Sequence, residues 1–594
     1  MKPDFVFEVS WEVCNKVGGI YTVLQTKARH MVSHYGENYV LVGPFFTLEK
    51  LKGEFEESAI PEQFRENCKV LAGEGIKAHW GKWLASGSPN VILVDFSEYL
   101  KNTDDIKRKL WELYEIDSLN APDDFNHPLV WAFACGRVIE LLSEVTRQKH
   151  IVSHFHEWLG ATGLLYLKSR DTKVKTVFTT HATVLGRSLA AAGVDFYEHI
   201  EKVDPLKEAY RFGIAAKHLT EKAAAKNAHL LTTVSEVTAQ EVEHFLGRKP
   251  DLLLPNGLDL AKYPTIEEIA LKHRVHRDRM REFLLYYFLP YYEIDISHTL
   301  FYFMSGRYEV SNKGIDIFIK ALGKLNERLK KEKKERTIIA FLWIPAQVRG
   351  IVPEVIENRE RFSDIKRLLL EVHDVLLDNV MYGAIAGKLF TPDFLFGDER
   401  ARALDIKIKK LKRSGTPPLL THDLVNQDDQ ILSLIRQHQL KNGKEDKVKI
   451  IYYPTYISGG DGLLNLDYEE VLTGAHFGIF PSLYEPWGYT PLETAALGVA
   501  SLTTDTAGFG QFVKAILEKL PSKTRFPGIY LLERLGKSED EIVEELTRIM
   551  LEYAKLSREE RVENKIAAHK MAEHADWKEL AAFYFEAHEK ALEK

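Results

Sequence analysis

The segment EPWGYTPLE holds two carboxylates, Glu485 and Glu493, eight residues apart around a forced turn. Pro486 and Gly488 interrupt any regular element, and Pro491 suits the first turn of a helix that runs on through LETAALG. Glu485 then lies in a loop just past the apolar run FGIFPSLY, and Glu493 lies on the early turns of the helix. The start of that helix offers backbone N–H groups without intrahelical partners, from Gly488 through Tyr489 to Thr490, which make a seat for an anion. A carboxylate beside an anion seat suits a reaction in which a phosphate leaves an electron-poor carbon. Glu485 would stabilise positive charge on that carbon, and Glu493 would accept hydrogen bonds from ribose hydroxyls. The plainer alternative for both is a helix-start acid meeting the macrodipole.

Four further segments carry related chemistry. In KVGGIYTV, Lys16, Gly18 and Gly19 precede a helix, and the glycine pair lets backbone amides approach a pyrophosphate. In GRYEVSNKG, Arg307 and Lys313 are six residues apart between a strand and a helix, two cations suited to a diphosphate and to the charge that grows as it leaves. In FTTHATVLGRS, His181 and Arg187 follow an apolar strand, and in LPNGLD the Asn256–Gly257 turn has an amide that reaches sugar hydroxyls. HFHEWLG adds His154, His156 and Glu157, but no third or fourth ligand stands at metal spacing, so no metal is expected. Taken singly, each has a structural reading as a turn, a surface cation or a strand-end histidine. Together they fall at strand-to-helix junctions, where an α/β cleft collects its ligands.

The elements that must hold these residues alternate. Apolar, β-rich runs at 5–9, 39–42, 91–96, 151–155, 174–180 and 230–234 are separated by helical stretches such as 21–35 and 128–146. The pattern resumes at 300–304, 338–343, 449–453, 477–480 and 500–504. Strands alternating with helices give βαβ units and parallel sheets covered on both faces. The expected fold is therefore α/β, with two Rossmann-like doubly wound domains facing across a cleft. The first is expected over 1–263, a helical connection over 264–297, the second domain over 298–568, and a C-terminal helix over 569–594. A charged, helix-periodic insertion at 354–413 interrupts the second domain. Its apolar positions Phe362, Ile365, Leu369, Val372 and Leu376 recur at three- and four-residue steps and predict one stripe that needs a partner, most simply a second copy.

Bulk properties narrow the class. The 594 residues carry 79 basic and 86 acidic side chains, a net charge of −7, which argues against a nucleic-acid binder. Three cysteines with no CxxC pair fit a reducing compartment. The N-terminus has Asp4 and Glu8 where a secretory signal needs an apolar stretch, and no 18-residue apolar run suggests a membrane span. A cytoplasmic protein is expected.

The segments EVSWEVCNKVGGIYTVLQTKA, HFHEWLGATG, TTHATVLGR, PNGLD, GRYEVSNKG and FPSLYEPWGYTPLETAALGV resemble the eukaryotic-type glycogen synthases of glycosyltransferase family 3, from residue 8 to about 510. The resemblance implies the GT-B architecture, with the C-terminal helix crossing back onto the first domain. It implies transfer of glucose from UDP-glucose to the 4-hydroxyl of a glucan non-reducing end, with retention, without metal or other cofactor, by an enzyme that assembles as a homotetramer. Residue by residue, Glu485 is similar to the family's catalytic carboxylate and Glu493 to its ribose-binding one. Arg187, Arg307 and Lys313 match the cations around the leaving phosphates, and Gly18 and Gly19 the diphosphate loop. His181 and Asn256 match sugar-site residues, and Glu157 an acidic residue of the cleft. Tyr468 in LDYEE matches an aromatic that stacks on uracil, and Tyr456 in PTYI a second stacking face. A short member without the family's regulatory tails is expected, and the family's arginine-rich helix here reads SREERVENKIAAHKMAEHADW, with Arg558 and Arg561 among three glutamates. Glucose 6-phosphate is therefore expected to activate little, since its phosphate needs several converging guanidinium groups.

Overall fold

The computed structural model of the chain describes residues 1–47, 49–146, 150–332, 336–519 and 526–594. Among them, nine strands form one sheet in the order Phe55–Glu57, Lys77–Trp83, Asn90–Asp95, Tyr39–Pro44, Phe5–Val9, Ile151–His156, Lys175–Thr180, Leu230–Thr233, Leu252–Leu253. The first two pairings are antiparallel and the rest parallel. The central strands FVFEV and IVSHFH are buried at every position, because helices cover both faces of a parallel sheet. A second, wholly parallel sheet of six strands runs Val448–Tyr453, Thr337–Trp343, Thr299–Ser305, Phe477–Ile479, Ala500–Thr504, Ile529–Leu532.

Each sheet is wound outward from its first strand in both directions. The first sheet therefore has a switch point between Phe5–Val9 and Ile151–His156, and the second between Thr299–Ser305 and Phe477–Ile479. At a switch point the loops leave the strand ends in opposite directions and open a crevice. Gly18 and Glu157 follow the two strands at the first crevice, and Arg307, Lys313 and Glu485 follow those at the second.

Two helices join the halves. The helix Ile266–Phe288 is no free bridge: Met280, Phe283, Leu284 and Tyr287 enter an apolar core with Phe301, Phe341 and Leu472 of the second domain. Helix Arg558–Glu573 also lies on the second domain, and the chain crosses back at Ala575, where Leu258 N–H donates to its carbonyl at 2.9 Å. The final helix Trp577–Glu593 then packs on helix Gly19–Tyr35, with Trp577 Nε1 donating to Thr26 Oγ1 at 2.7 Å. Gly257 is required at this weld, because a Cβ there would lie 2.8 Å from the Trp577 ring.

The insertion forms helices Pro353–Glu371, His373–Ala386, Pro392–Phe396 and Asp398–Leu411. The stripe that the spacing singles out turns inward: Val372 is buried, Phe362 packs against Tyr286, and Ile365, Leu369 and Leu376 are half-buried. The uncovered apolar surface lies on and after the following helix, at Leu377, Met381, Ile385 and Leu389, with Ile385 88% and Leu389 86% exposed. Periodicity finds an apolar face but does not say which neighbour covers it. Among the described residues no helix is long and apolar enough to cross a membrane.

Candidate active site

The second-domain wall is built by two loops far apart in sequence. The loop after Thr299–Ser305 is pinned to the loop after Phe477–Ile479, since Leu483 N–H donates to the Asn312 carbonyl at 2.9 Å. Gly314 caps the next helix with φ +68°, and a Cβ there would collide with the Pro481 carbonyl, so only glycine allows the loops to meet. As a result Lys313 Nζ pairs with Glu485 Oε2, both partly buried, although 172 residues separate them. One crevice is lined by Ser305, Lys313, Ser482, Glu485 and Thr490. Gly488, at φ +113°, starts the helix Tyr489–Ala496, which no side chain caps. Its leading amides thus open beside the Lys313–Glu485 pair.

Glu493, half-buried on that helix, has its carboxyl pushed up to about 7 by burial, with a smaller contribution from Glu469. Nothing among the described residues donates a hydrogen bond to it. Tyr468 donates to or accepts from Ser305 Oγ at 2.8 Å, and Glu493 is near enough to help burial raise its phenol. Arg307 is 75% exposed and paired with Glu309 at 3.1 Å, outside this crevice. Tyr456 is 83% exposed, on the loop beyond Val448–Tyr453.

The first-domain wall is a cavity bounded by Glu12, Glu157, Trp158, Arg187 and Lys217. Glu157 opens its helix at φ +60°, a strained conformation for a side-chain-bearing residue, held because its carboxylate accepts from the N–H groups of His181 (2.8 Å) and Ala182 (3.2 Å). Arg187, 55% exposed, reaches to 3.8 Å from the same oxygen. Burial raises the Glu157 carboxyl, and Arg187 opposes the rise. Asn256 is buried, and its Oδ1 has no partner among the described residues.

The glycine pair behaves differently from a bare diphosphate loop. Glu12 Oε2 accepts from Gly18 N–H and Tyr21 N–H, each at 2.8 Å, so this helix start already has an anion. Burial raises the Glu12 carboxyl, which eases its displacement by a stronger anion. Lys16 is exposed, 5.8 Å over the Tyr21 ring. Glu12 lies six residues before Gly18, and only the fold shows that its side chain folds back over the loop.

Tyr484, next to Glu485, joins the walls. Its ring enters the first-domain core beside Phe196 and Tyr197, and its hydroxyl donates to Glu241 Oε2 at 3.3 Å. Burial and then Glu241 push its phenol well above the ordinary range, while Arg187 opposes the shift. Ser235 Oγ donates to the Pro486 carbonyl at 2.8 Å. Glu485 is thus flanked on both sides by contacts to the other domain. The sequence reading passes over Tyr484 because it reads as the tail of an apolar run.

Glu8, His154 and His156 lie close enough to suggest a metal site. The buried Lys27 ammonium and the Tyr39 hydroxyl both bond the Glu8 carboxylate, and Lys27 already supplies the positive charge a metal would bring. This cluster is an ion pair with ordered imidazoles.

A separate cavity overturns the premise of the regulatory expectation. Arg558, Arg561 and Lys565 do not stand alone: Arg274, Arg277 and Arg281 from helix Ile266–Phe288 line the same space. Lys565 Nζ is buried with no partner among the described residues. Burial, with Arg281 and Arg561 nearby, lowers Arg277 to about 10. Cations that converge on one cavity and depress one another suit an anion, and counting arginines on one helix misses the convergence.

Two doubly wound domains with their switch points on either side of the Glu485 loop define the GT-B glycosyltransferase class. The catalytic domain of starch synthase IV from Arabidopsis thaliana, solved with ADP and acarbose, shares this fold at a TM-score of 0.52 and 13% identity, with all of both chains covered. A model of the glycogen synthase family matches residues 8–594. The liver glycogen [starch] synthase of Mus musculus is 36% identical over 99% of this chain and 83% of its own length. Glycogen [starch] synthase isoform 2 of Saccharomyces cerevisiae is 36% identical over 100% of this chain and 87% of its own. The chain belongs to the glycogen synthase family.

Proposed function

We propose that this chain transfers glucose from UDP-glucose, with retention, to the 4-hydroxyl of the non-reducing end of glycogen. The observation that carries the reading is the Lys313–Glu485 pair beside the uncapped start of helix Tyr489–Ala496. The helix amides and Lys313 receive the diphosphate and stabilise the charge it gains on leaving. Once the diphosphate draws Lys313 away, Glu485 faces the anomeric carbon and stabilises its positive charge. Glu493 receives the ribose hydroxyls and Tyr468 stacks on the uracil. Arg187, His181, Asn256 and Glu157 hold the sugar and acceptor from the first domain. Arg307 must swing from Glu309 to reach phosphate, and its exposure leaves it free to do so.

We place the enzyme in the cytoplasm, consistent with three unpaired cysteines. It assembles as a homotetramer through the insertion, whose exposed Met381, Ile385 and Leu389 need cover. The test is incorporation of radiolabelled glucose into glycogen from UDP-glucose, with ADP-glucose in parallel. Incorporation from UDP-glucose, released by an α-1,4-specific amylase, supports the reading. Incorporation from ADP-glucose alone, or none, refutes it.

A further inference from the structure

Beneath the first-domain wall lies a chain of buried groups that the transfer step itself does not use. Glu8 is fully buried, and its carboxylate is bonded by Lys27 Nζ, the Tyr39 hydroxyl and His156 Nε2, the last at 2.7 Å. A carboxylate paired with Lys27 has no proton to give, so His156 Nε2 carries the hydrogen in that bond. In a neutral ring the other nitrogen, Nδ1, then accepts. Its partner is His181 Nε2 at 2.9 Å, which must be the donor. That leaves His181 Nδ1 as a bare lone pair, buried and without a partner among the described residues. Burial, with Lys27 nearby, lowers the pKa of both rings and keeps them neutral. The His181 main chain is fixed as well, through its N–H to Glu157.

A buried acceptor left empty costs free energy unless a ligand satisfies it. His181 follows strand Lys175–Thr180 at the carboxyl edge of the sheet, directly behind the first-domain cavity that Glu157, the acceptor of its N–H, and Val184 line. We propose that Glu8 and His156 are positioning residues that lock His181 in the Nε2–H tautomer, so that its Nδ1 accepts a hydrogen bond from one hydroxyl of the donor sugar. The proposal rests on the glucosyl-transfer reading. It makes the site selective for a sugar that has a hydroxyl at that place, since an analogue lacking it leaves Nδ1 unpaired.

Two measurements test it. Nitrogen-15 NMR of histidine-labelled protein, assigned with His181→Asn, reads the tautomer without any turnover. The expected result is a protonated Nε2 and an unprotonated Nδ1 at His181, and a proton on Nδ1 overturns the proposal. The second measurement is kcat/KM for UDP-glucose against UDP-sugars lacking one hydroxyl each. Wild type should reject one of them by at least about tenfold. His156→Leu leaves the Glu8–Lys27 pair intact and should lose that discrimination while still binding UDP. Unchanged discrimination in this variant overturns the proposal. A protein that transfers no glucose at all refutes the transfer reading instead, and the tautomer then decides the relay by itself.

Discussion

Glu493→Gln separates the cost of this carboxylate from its use. Burial raises the carboxyl from 4.5 to about 7. The folded state therefore binds the proton more tightly than the unfolded chain does. The stability this confers is fully present below about pH 4.5 and is lost as pH rises through about 7. By pH 8 the ionised, buried group has cost the fold about 3 kcal/mol, at roughly 1.4 kcal/mol per pH unit between the two values. Glutamine mimics the protonated form at every pH. Its own burial cost does not change with pH, so the pH trend of the difference isolates the charge. Differential scanning calorimetry of wild type and variant from pH 5 to 8.5 should show a gap that grows in favour of the variant, by roughly 2–3 °C if the 594 residues melt together at about 2.1 cal/mol/K per residue. The same variant should bind UDP more weakly by tenfold to a hundredfold, because hydrogen bonds to a charged acceptor are worth about 1.5–3 kcal/mol. A gap that stays constant with pH, or a variant that melts lower at pH 8, refutes the argument. Unchanged UDP affinity refutes the ribose role.

Glu485→Gln should keep UDP binding and lose more than about 90% of kcat, since the lost interaction forms chiefly in the transition state; single-turnover kinetics with calorimetric UDP titration reads both. Activity should survive EDTA, because Lys27 occupies the place of a cation at Glu8 and cations and amides meet the diphosphate; strict recovery by one divalent ion would reverse this. Ile385→Glu with Leu389→Glu should lower the oligomer mass by light scattering while the melting curve of the protomer holds, and an unchanged mass moves the interface elsewhere. At the second cavity a sugar phosphate should raise Tm, and Lys565→Met should raise Tm without ligand and reduce that response; a variant that responds like wild type excludes Lys565 from the site.

Much of this protein is legible in its sequence for physical reasons that act locally. Short, mostly apolar runs such as FVFEV and TLFYFMS, repeated between helical stretches, read as strands covered on both faces, and that pattern yields two parallel sheets. Pro491 and Gly488 mark a helix start, so the anion seat beside Glu485 is readable within nine residues. The insertion is readable as helices from its period. What the period cannot assign is the neighbour. Phe362 belongs to an interior contact with Tyr286, while Leu377, Met381, Ile385 and Leu389, at four-residue steps of their own, carry the open surface.

Only tertiary structure brings together groups distant in the chain. Lys313 meets Glu485 because Gly314 lets two loops touch. Glu12 sits on the glycine loop, and Tyr484 bolts the Glu485 loop to the opposite domain. The arginines of helix Ile266–Phe288 face those of Arg558–Glu573 across one cavity. In each case the sequence determines the chemical type of the group and the element that carries it, because these follow from side-chain chemistry and nearest-neighbour geometry. Which charge faces which depends on how the elements pack, and packing is set by the whole core at once.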